Sequence, residues 1–290
     1  MTTPFDAGHG LVRVYPADAA AARPRPGLVW AHGGAFVVGD LDMPEADSVA
    51  RAFAARGITV VSIGYQLVSD GTGHYPAGSD DVIAAWSWTI GQCEALGIDP
   101  ARLAIGGASA GANLAAGAVL RLLGREPSET GPRLPAGIFL AYPTLLAAQP
   151  APGPELRAAL DANPAADRFG PDAVRYMYER YLGGPVEDAP LPAVPGLAEP
   201  SDVVGFPPTI IVNGDVDELR VSGELFAATL AAAAVPVELA LEPGTQHGHL
   251  NRPDEPAASA TVDRVAAWID RDFEPAASEA LTPSDLTATT

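Results

Sequence analysis

The sequence predicts an α/β fold with a mostly parallel sheet. Two observations carry this: short β-branched apolar runs alternate with longer helical patterns, and several of the runs are apolar throughout instead of alternating. The strand candidates are residues 11–15, 27–31, 58–65, 103–107, 136–142, 209–213 and 237–241. Thr59-Val60-Val61-Ser62-Ile63 and Thr209-Ile210-Ile211-Val212 present apolar or small side chains to both sides, as strands covered on both faces do. Apolar spacings of three and four mark helices over 45–56, 79–96, 110–123, 222–233 and 257–271. The stretch 145–208 departs from this rhythm, with many prolines, two short helical patterns (154–162 and 172–182) and no strong strand. It reads as an insertion into a core formed by 1–144 and 209–273. Residues 274–290 mix Ala, Ser, Thr and Pro without period and read as a disordered tail.

A chain of 290 residues that is 48% hydrophobic can bury a full core without a disulfide or metal staple. Thirty-six acidic against seventeen basic residues leave a formal charge of -19, a field that repels nucleic acid and anionic membranes. All seventeen basic residues are arginines, so Schiff-base chemistry and the P-loop lysine are excluded. Cys93 is the single cysteine, which forbids an intrachain disulfide and any cysteine-rich zinc site. The first twenty residues lack a basic start followed by an apolar core, and no run approaches membrane-spanning length. The chain is therefore read as cytoplasmic.

The sharpest local signal is Gly107-Ala108-Ser109-Ala110-Gly111, which follows the strand 103–107 and opens the helix 110–123. So tight a turn needs small neighbours, and it lifts the serine hydroxyl to the top of the sheet at the positive end of a helix. His32-Gly33-Gly34-Ala35-Phe36 follows the strand 27–31. Small side chains there let backbone N–H groups turn inward to receive charge on a reacting carbonyl oxygen. His32 itself reads as a residue that fixes the loop, with Gly33, and not as a proton carrier.

An activated serine needs a base, and the histidines are His9, His32, His74, His247 and His249. His247 follows the last strand candidate, at the sheet edge that also carries Ser109. His9 is too near the terminus; His74 reads as a loop residue and His249 as a pocket or supporting residue, with neither excluded. For the acid that orients the base, Asp215, Asp217 and Glu218 compete in the loop after 209–213.

With these residues the sequence resembles the hormone-sensitive-lipase-like branch of serine esterases, bacterial family IV of the α/β-hydrolase superfamily, from about Gly27 to Arg271. His32 to Phe36 is similar to the family's HGGGF, Gly107 to Gly111 to its GDSAG, Asp217-Glu218-Leu219-Arg220 to its DPLRDE, and Gln246-His247-Gly248 to its HGF. Tyr65-Gln66-Leu67, Tyr75-Pro76-Ala77 and Tyr142-Pro143 add lesser matches. The order serine, acid, histidine is that of α/β-hydrolases.

The resemblance implies an α/β-hydrolase fold with a reduced cap, Ser109 as nucleophile, Asp217 rather than Asp215 as acid, and His247 as base. It assigns the oxyanion donors to the N–H groups of Gly34, Ala35 and Ala110. Alanine stands at 35 where the family has a third glycine, which suits a backbone donor only if φ stays negative. Ala108 stands where the family has aspartate. Family members carry several dozen residues of cap helices before HGGGF, and thirty-one residues precede His32 here. The pocket is therefore expected to be more open, or completed by a second subunit in a homodimer.

The implied activity is hydrolysis of a small-molecule carboxylic ester through an acyl-enzyme, with no metal or organic cofactor. Thioesterase, lactonase, amidase and acyltransferase activities share the same triad, and a non-catalytic ligand-binding homologue would need only the pocket. Phe36, Leu145, Tyr176 and His249 are candidate substrate contacts, with Leu146, Phe169, Met177 and Tyr181 as further possible walls.

Overall fold

The computed structural model describes residues 3–18, 24–124 and 133–276. Among them the strands are β1 (Phe5–Ala7), β2 (Val12–Tyr15), β3 (Arg25–Ala31), β4 (Thr59–Ile63), β5 (Ile98–Ala108), β6 (Ile138–Ala141), β7 (Thr209–Val216) and β8 (Val237–Gln246). The helices are α1 (Pro44–Ala55), α2 (Ala77–Leu96), α3 (Ala110–Leu123), α4 (Pro154–Ala162), α5 (Pro171–Leu182), α6 (Arg220–Ala232) and α7 (Pro256–Asp270). The strands form one sheet in the order β1-β2-β4-β3-β5-β6-β7-β8. From β4 to β8 every pairing is parallel, while β1 and β2 add an antiparallel edge.

Every expected strand and helix is present, and β1 is an addition. Phe5-Asp6-Ala7 is too short and too exposed to stand out from the sequence. The continuous apolar runs follow from burial on both faces. Along β3, Leu28 and Trp30 enter the core shared with α1 and α7, while Val29 and Ala31 enter the core shared with α2, α3 and α6.

The parallel strands end at one edge, and the chemistry gathers there. Ser109 follows β5, Tyr142 follows β6, Asp217 follows β7 and His247 follows β8.

Between β6 and β7, residues 145–208 form α4, α5 and a series of short 3-10 turns, with no strand. Two of the ties that fasten this stretch to the core involve tyrosines of α5. The Asn113 side chain donates to the Tyr178 hydroxyl at 2.8 Å, which in turn donates to the Thr144 carbonyl at 2.9 Å. The Tyr181 ring stacks on Phe36 with centroids 3.9 Å apart. A close approach adds to this, because a Cβ at Gly117 of α3 would lie 2.0 Å from the Pro192 carbonyl oxygen.

At residues 274–276 the structure departs from the expected tail. Glu274 donates its N–H to the Arg271 carbonyl, and Ala276 donates to Glu238 Oε2 at 2.8 Å, so the chain is still tied to the body there. Residues 277–290 lie outside the described residues.

Because the Tyr178 hydroxyl is fully buried between a donor and an acceptor, Tyr178→Phe is expected to cost about 1–3 kcal/mol, read from urea unfolding midpoints.

Candidate active site

The strand-to-helix turn at Ser109 is possible only because its flanks are bare. A Cβ on Gly107 would lie 2.3 Å from the Gly111 carbonyl, and one on Gly111 would lie 2.2 Å from the Ala31 carbonyl oxygen. The backbone of Ser109 takes φ 52 and ψ -115, a strained conformation for a residue with a side chain. Its N–H donates to the Ala141 carbonyl at 2.9 Å, which ties the turn to β6. The helix α3 begins at the next residue, so the serine oxygen stands beside free helical N–H groups.

His247 Nε2 lies 2.9 Å from Ser109 Oγ, and its Nδ1 lies 2.7 Å from Asp217 Oδ2. A carboxylate only accepts, so Nδ1 carries the ring proton and Nε2 is left to accept from the serine hydroxyl. Asp217 is fully buried, and its other oxygen accepts the Leu219 N–H at 2.9 Å. Asp215, the rival acid, is turned away: its Oδ2 accepts the Gly244 N–H at 3.0 Å and Arg220 lies 3.7 Å from its Oδ1. Two rings hold the imidazole edge-on, Tyr142 at 5.0 Å and Phe169 at 4.6 Å between centroids.

The loop after β3 faces this group. Gly33 gives its N–H to Glu45 Oε2 at 2.5 Å, while Gly34 and Ala35 line the same cavity as Ser109 and His247. That cavity holds about 410 Å³, in the range of small-molecule sites. The condition placed on Ala35 fails: its φ is 52, with Gly34 at 120 and Phe36 at 65. The Val37 and Val38 N–H groups both donate to the Gly34 carbonyl at 3.0 Å, so the loop curls tightly enough to force a left-handed alanine, at roughly 1–2 kcal/mol.

His32 acts on the loop and not on the serine. Its Nδ1 donates to the Gly33 carbonyl at 2.6 Å, its ring stacks on Tyr65 at 4.5 Å, and Tyr65 Oη donates to the His32 carbonyl at 2.8 Å. Burial pushes its pKa down, which keeps the ring neutral.

Sequence reasoning missed Glu45. Its buried carboxylate takes three donors: Gly33 N–H, the Tyr142 hydroxyl at 2.6 Å and Asn251 Nδ2 at 2.9 Å. An acidic residue in a first helical turn reads as helix chemistry, and nothing local reveals a buried charge. Glu218, a candidate acid in the sequence, takes a role that was not foreseen: its side chain accepts the Phe169 N–H and so holds the ring that flanks His247.

The four expected substrate contacts do not reach the cavity. Phe36 is 2% exposed and stacked on Tyr181, because its positive φ swings the side chain into the core. Leu145 is fully buried in the core on the side of α3. Tyr176 is 63% exposed, with the Arg180 guanidinium 6.0 Å from its ring centre. His249 is fully buried behind Tyr142, with Nε2 2.8 Å from Thr261 Oγ1. Of the further walls named, Phe169 and Met177 do line the cavity.

The comparisons agree with this geometry. Residues 28–251 match the model of a family described as alpha/beta hydrolase fold. The chain belongs to that family. Carboxylesterase NlhH of Mycobacterium tuberculosis is 37% identical over 250 residues, covering 85% of this chain and 73% of the relative. The crystal structure of esterase LipW from Mycobacterium marinum superposes with a TM-score of 0.73 at 30% identity, over 94% of this chain and 81% of that one. Brefeldin A esterase, described as a bacterial homologue of human hormone sensitive lipase, gives 0.74 at 26% identity, over 94% and 76%. The hormone-sensitive-lipase-like branch is thus the place of this chain within the superfamily.

His249 generates a pH prediction. Burial first, then the nearby charge of Arg252, lowers its pKa from the ordinary 6.5 to about 4. Between those values the unfolded chain takes up a proton that the folded ring refuses, so stability is full above about 6.5 and falls as the pH drops toward 4. Unfolding by urea at stepped pH should show wild type losing up to about 3 kcal/mol more than His249→Gln across that window.

Proposed function

We propose that Ser109, His247 and Asp217 cleave small carboxylic esters by two acyl transfers. The observation that carries this is the continuous chain from Asp217 Oδ2 through both ring nitrogens of His247 to Ser109 Oγ, at 2.7 and 2.9 Å. Relatives named as a carboxylesterase, an ethyl acetate hydrolase and esterases support ester hydrolysis by a carboxylesterase-type enzyme, and the alternative uses of the triad are not favoured.

In the first transfer His247 Nε2 takes the Ser109 proton as Oγ attacks the ester carbonyl carbon, and the carbonyl π electrons move onto its oxygen. The N–H groups of Gly34, Ala35 and Ala110 receive that charge. A donor so placed is typically worth about 3–4 kcal/mol of barrier. Asp217 steadies the imidazolium. Collapse of the tetrahedral centre breaks the bond to the alcohol oxygen, which leaves with the proton from His247. Water then repeats the sequence against the acyl-enzyme, with His247 as base, and releases the acid and the free serine.

Residues 145–208 serve as the cap in this reading, since Phe169 and Met177 from that stretch wall the cavity. A homodimer would add cover to its open side. The described residues hold no helix long and apolar enough to cross a membrane, and a reducing cytoplasm suits a chain whose one cysteine is buried.

Ser109→Ala should remove turnover of p-nitrophenyl butyrate, by about 10⁴-fold or more, with an unchanged circular dichroism spectrum. A fluorophosphonate probe should add its mass to the Ser109 peptide alone; labelling elsewhere would reassign the nucleophile. Asp217→Asn is expected to slow the same reaction by about 10³-fold or more and Asp215→Asn by less than about threefold. The opposite ranking would make Asp215 the acid.

A further inference from the structure

Two arginines, Arg168 and Arg252, line the cavity that holds Ser109. Ten arginines among the described residues hold a carboxylate in an ion pair, whereas Arg133, Arg168 and Arg180 do not, and of these three only Arg168 lines the cavity. Arg13, Arg51, Arg56, Arg121, Arg157 and Arg175, for example, all hold an aspartate or glutamate within 3.0 Å. Arg252 keeps Glu255 at 3.1 Å. Arg168 has no carboxylate within ion-pair distance among the described residues, and its guanidinium lies over the Phe169 ring, 5.4 Å from the centroid.

The backbone under this guanidinium is held in place. The Phe169 N–H is donated to the buried Glu218 carboxylate, and the Phe169 ring rests edge-on against His247. Asp167, the neighbour on the other side, pairs with Arg157 at 2.5 Å and makes no ion pair with Arg168. The carboxylate of Glu45 is the one acidic group on the cavity wall, and its oxygens already accept three donors. The same cavity wall carries apolar side chains, among them Val38, Met43, Phe169 and Met177. The cavity therefore offers a reacting centre, a short apolar stretch and an unneutralised planar cation.

We propose that the cavity selects esters that also carry a carboxylate, bound by the guanidinium of Arg168. The proposal rests on the hydrolase reading above and adds the substrate class. A guanidinium matches a carboxylate through two parallel N–H donors, which a lysine in its place would not reproduce. It also gives an anion a local attractive point on a molecule whose overall charge repels it. Arg168 acts on specificity and takes no part in bond making.

The substrate carboxylate could sit on the acyl side or on the alcohol side, and two pairs of esters separate these. Methyl hydrogen glutarate is compared with methyl butyrate, and carboxymethyl acetate with ethyl acetate, each with wild type, Arg168→Met and Arg168→Lys. In one arm the ratio of kcat/KM for the charged over the neutral ester should fall about five- to tenfold in Arg168→Met, through KM, with part of it retained in Arg168→Lys. A ratio that does not move in either arm overturns the proposal. If wild type cleaves neither neutral ester nor either charged one, the hydrolase reading falls with it. If the neutral esters are turned over while the ratio stays put, only the carboxylate selection falls.

Discussion

A single buried carboxylate holds the active-site edge together. Glu45, 2% exposed, sits where three loops meet and takes one donor from each: Gly33 after β3, Tyr142 after β6 and Asn251 after β8. Its backbone carbonyl takes a fourth, Trp30 Nε1, at 2.8 Å. A buried carboxylate is stable only when donors replace the water it has lost, and the three side-chain contacts do so. The arrangement also decides which way the neighbouring amides point. The Gly33 N–H is engaged by Glu45, while Gly34 and Ala35 line the cavity. Burial and the charge of Glu45 in turn raise the Tyr142 pKa well above its ordinary value, so that hydroxyl stays a donor.

Around this anchor the backbone carries strain where the chemistry would occur. Ser109, Ala35 and Phe36 all have positive φ, and none is glycine. The cost is met by the packing that fixes them, with Gly107 and Gly111 in contact across the turn and the Phe36 ring stacked on Tyr181. Alanine at 35 is the informative case. A glycine would relieve the strain at once, and alanine survives because the Gly34 carbonyl accepts two N–H groups and closes the curl behind it. Side-chain identity matters little in such a loop; the direction of its amides matters a great deal.

The sheet, the helices and the turn that bears Ser109 were legible because they follow from local pattern, while the choice of Asp217 over Asp215 rested on the family resemblance. Two-sided burial makes β4 and β7 continuously apolar, and a strand-to-helix turn that admits only small flanks leaves Gly107 and Gly111 in plain view. What was not legible depends on which side of an element faces the site. Helical spacing marks Tyr176 and Met177 as neighbours on α5, yet one turns to solvent and the other to the cavity. Phe36 follows the oxyanion loop directly and still points away, because one backbone angle has the other sign. Glu45 looks like a surface acid in the sequence and Glu218 like a rival for the acid behind His247, and only long-range contact reveals what their buried carboxylates hold.

Glu218 also explains how two separate parts of the chain come to share one site. It follows Asp217 directly, so a single turn after β7 supplies the acid behind His247 and the acceptor for the Phe169 N–H. Burial raises the Glu218 pKa, which puts a cost on its charge that the amide of Phe169 helps to offset. Gln149 closes the same turn from the other side, donating to the Glu218 carbonyl at 3.0 Å. The segment that bears Phe169 and Arg168 is therefore not laid over a finished site. Its position is set by the loop that positions the imidazole, and the edge contact of Phe169 on His247 returns that constraint to the ring. Cavity wall and catalytic geometry are thus one mechanical unit, built from two consecutive acidic residues.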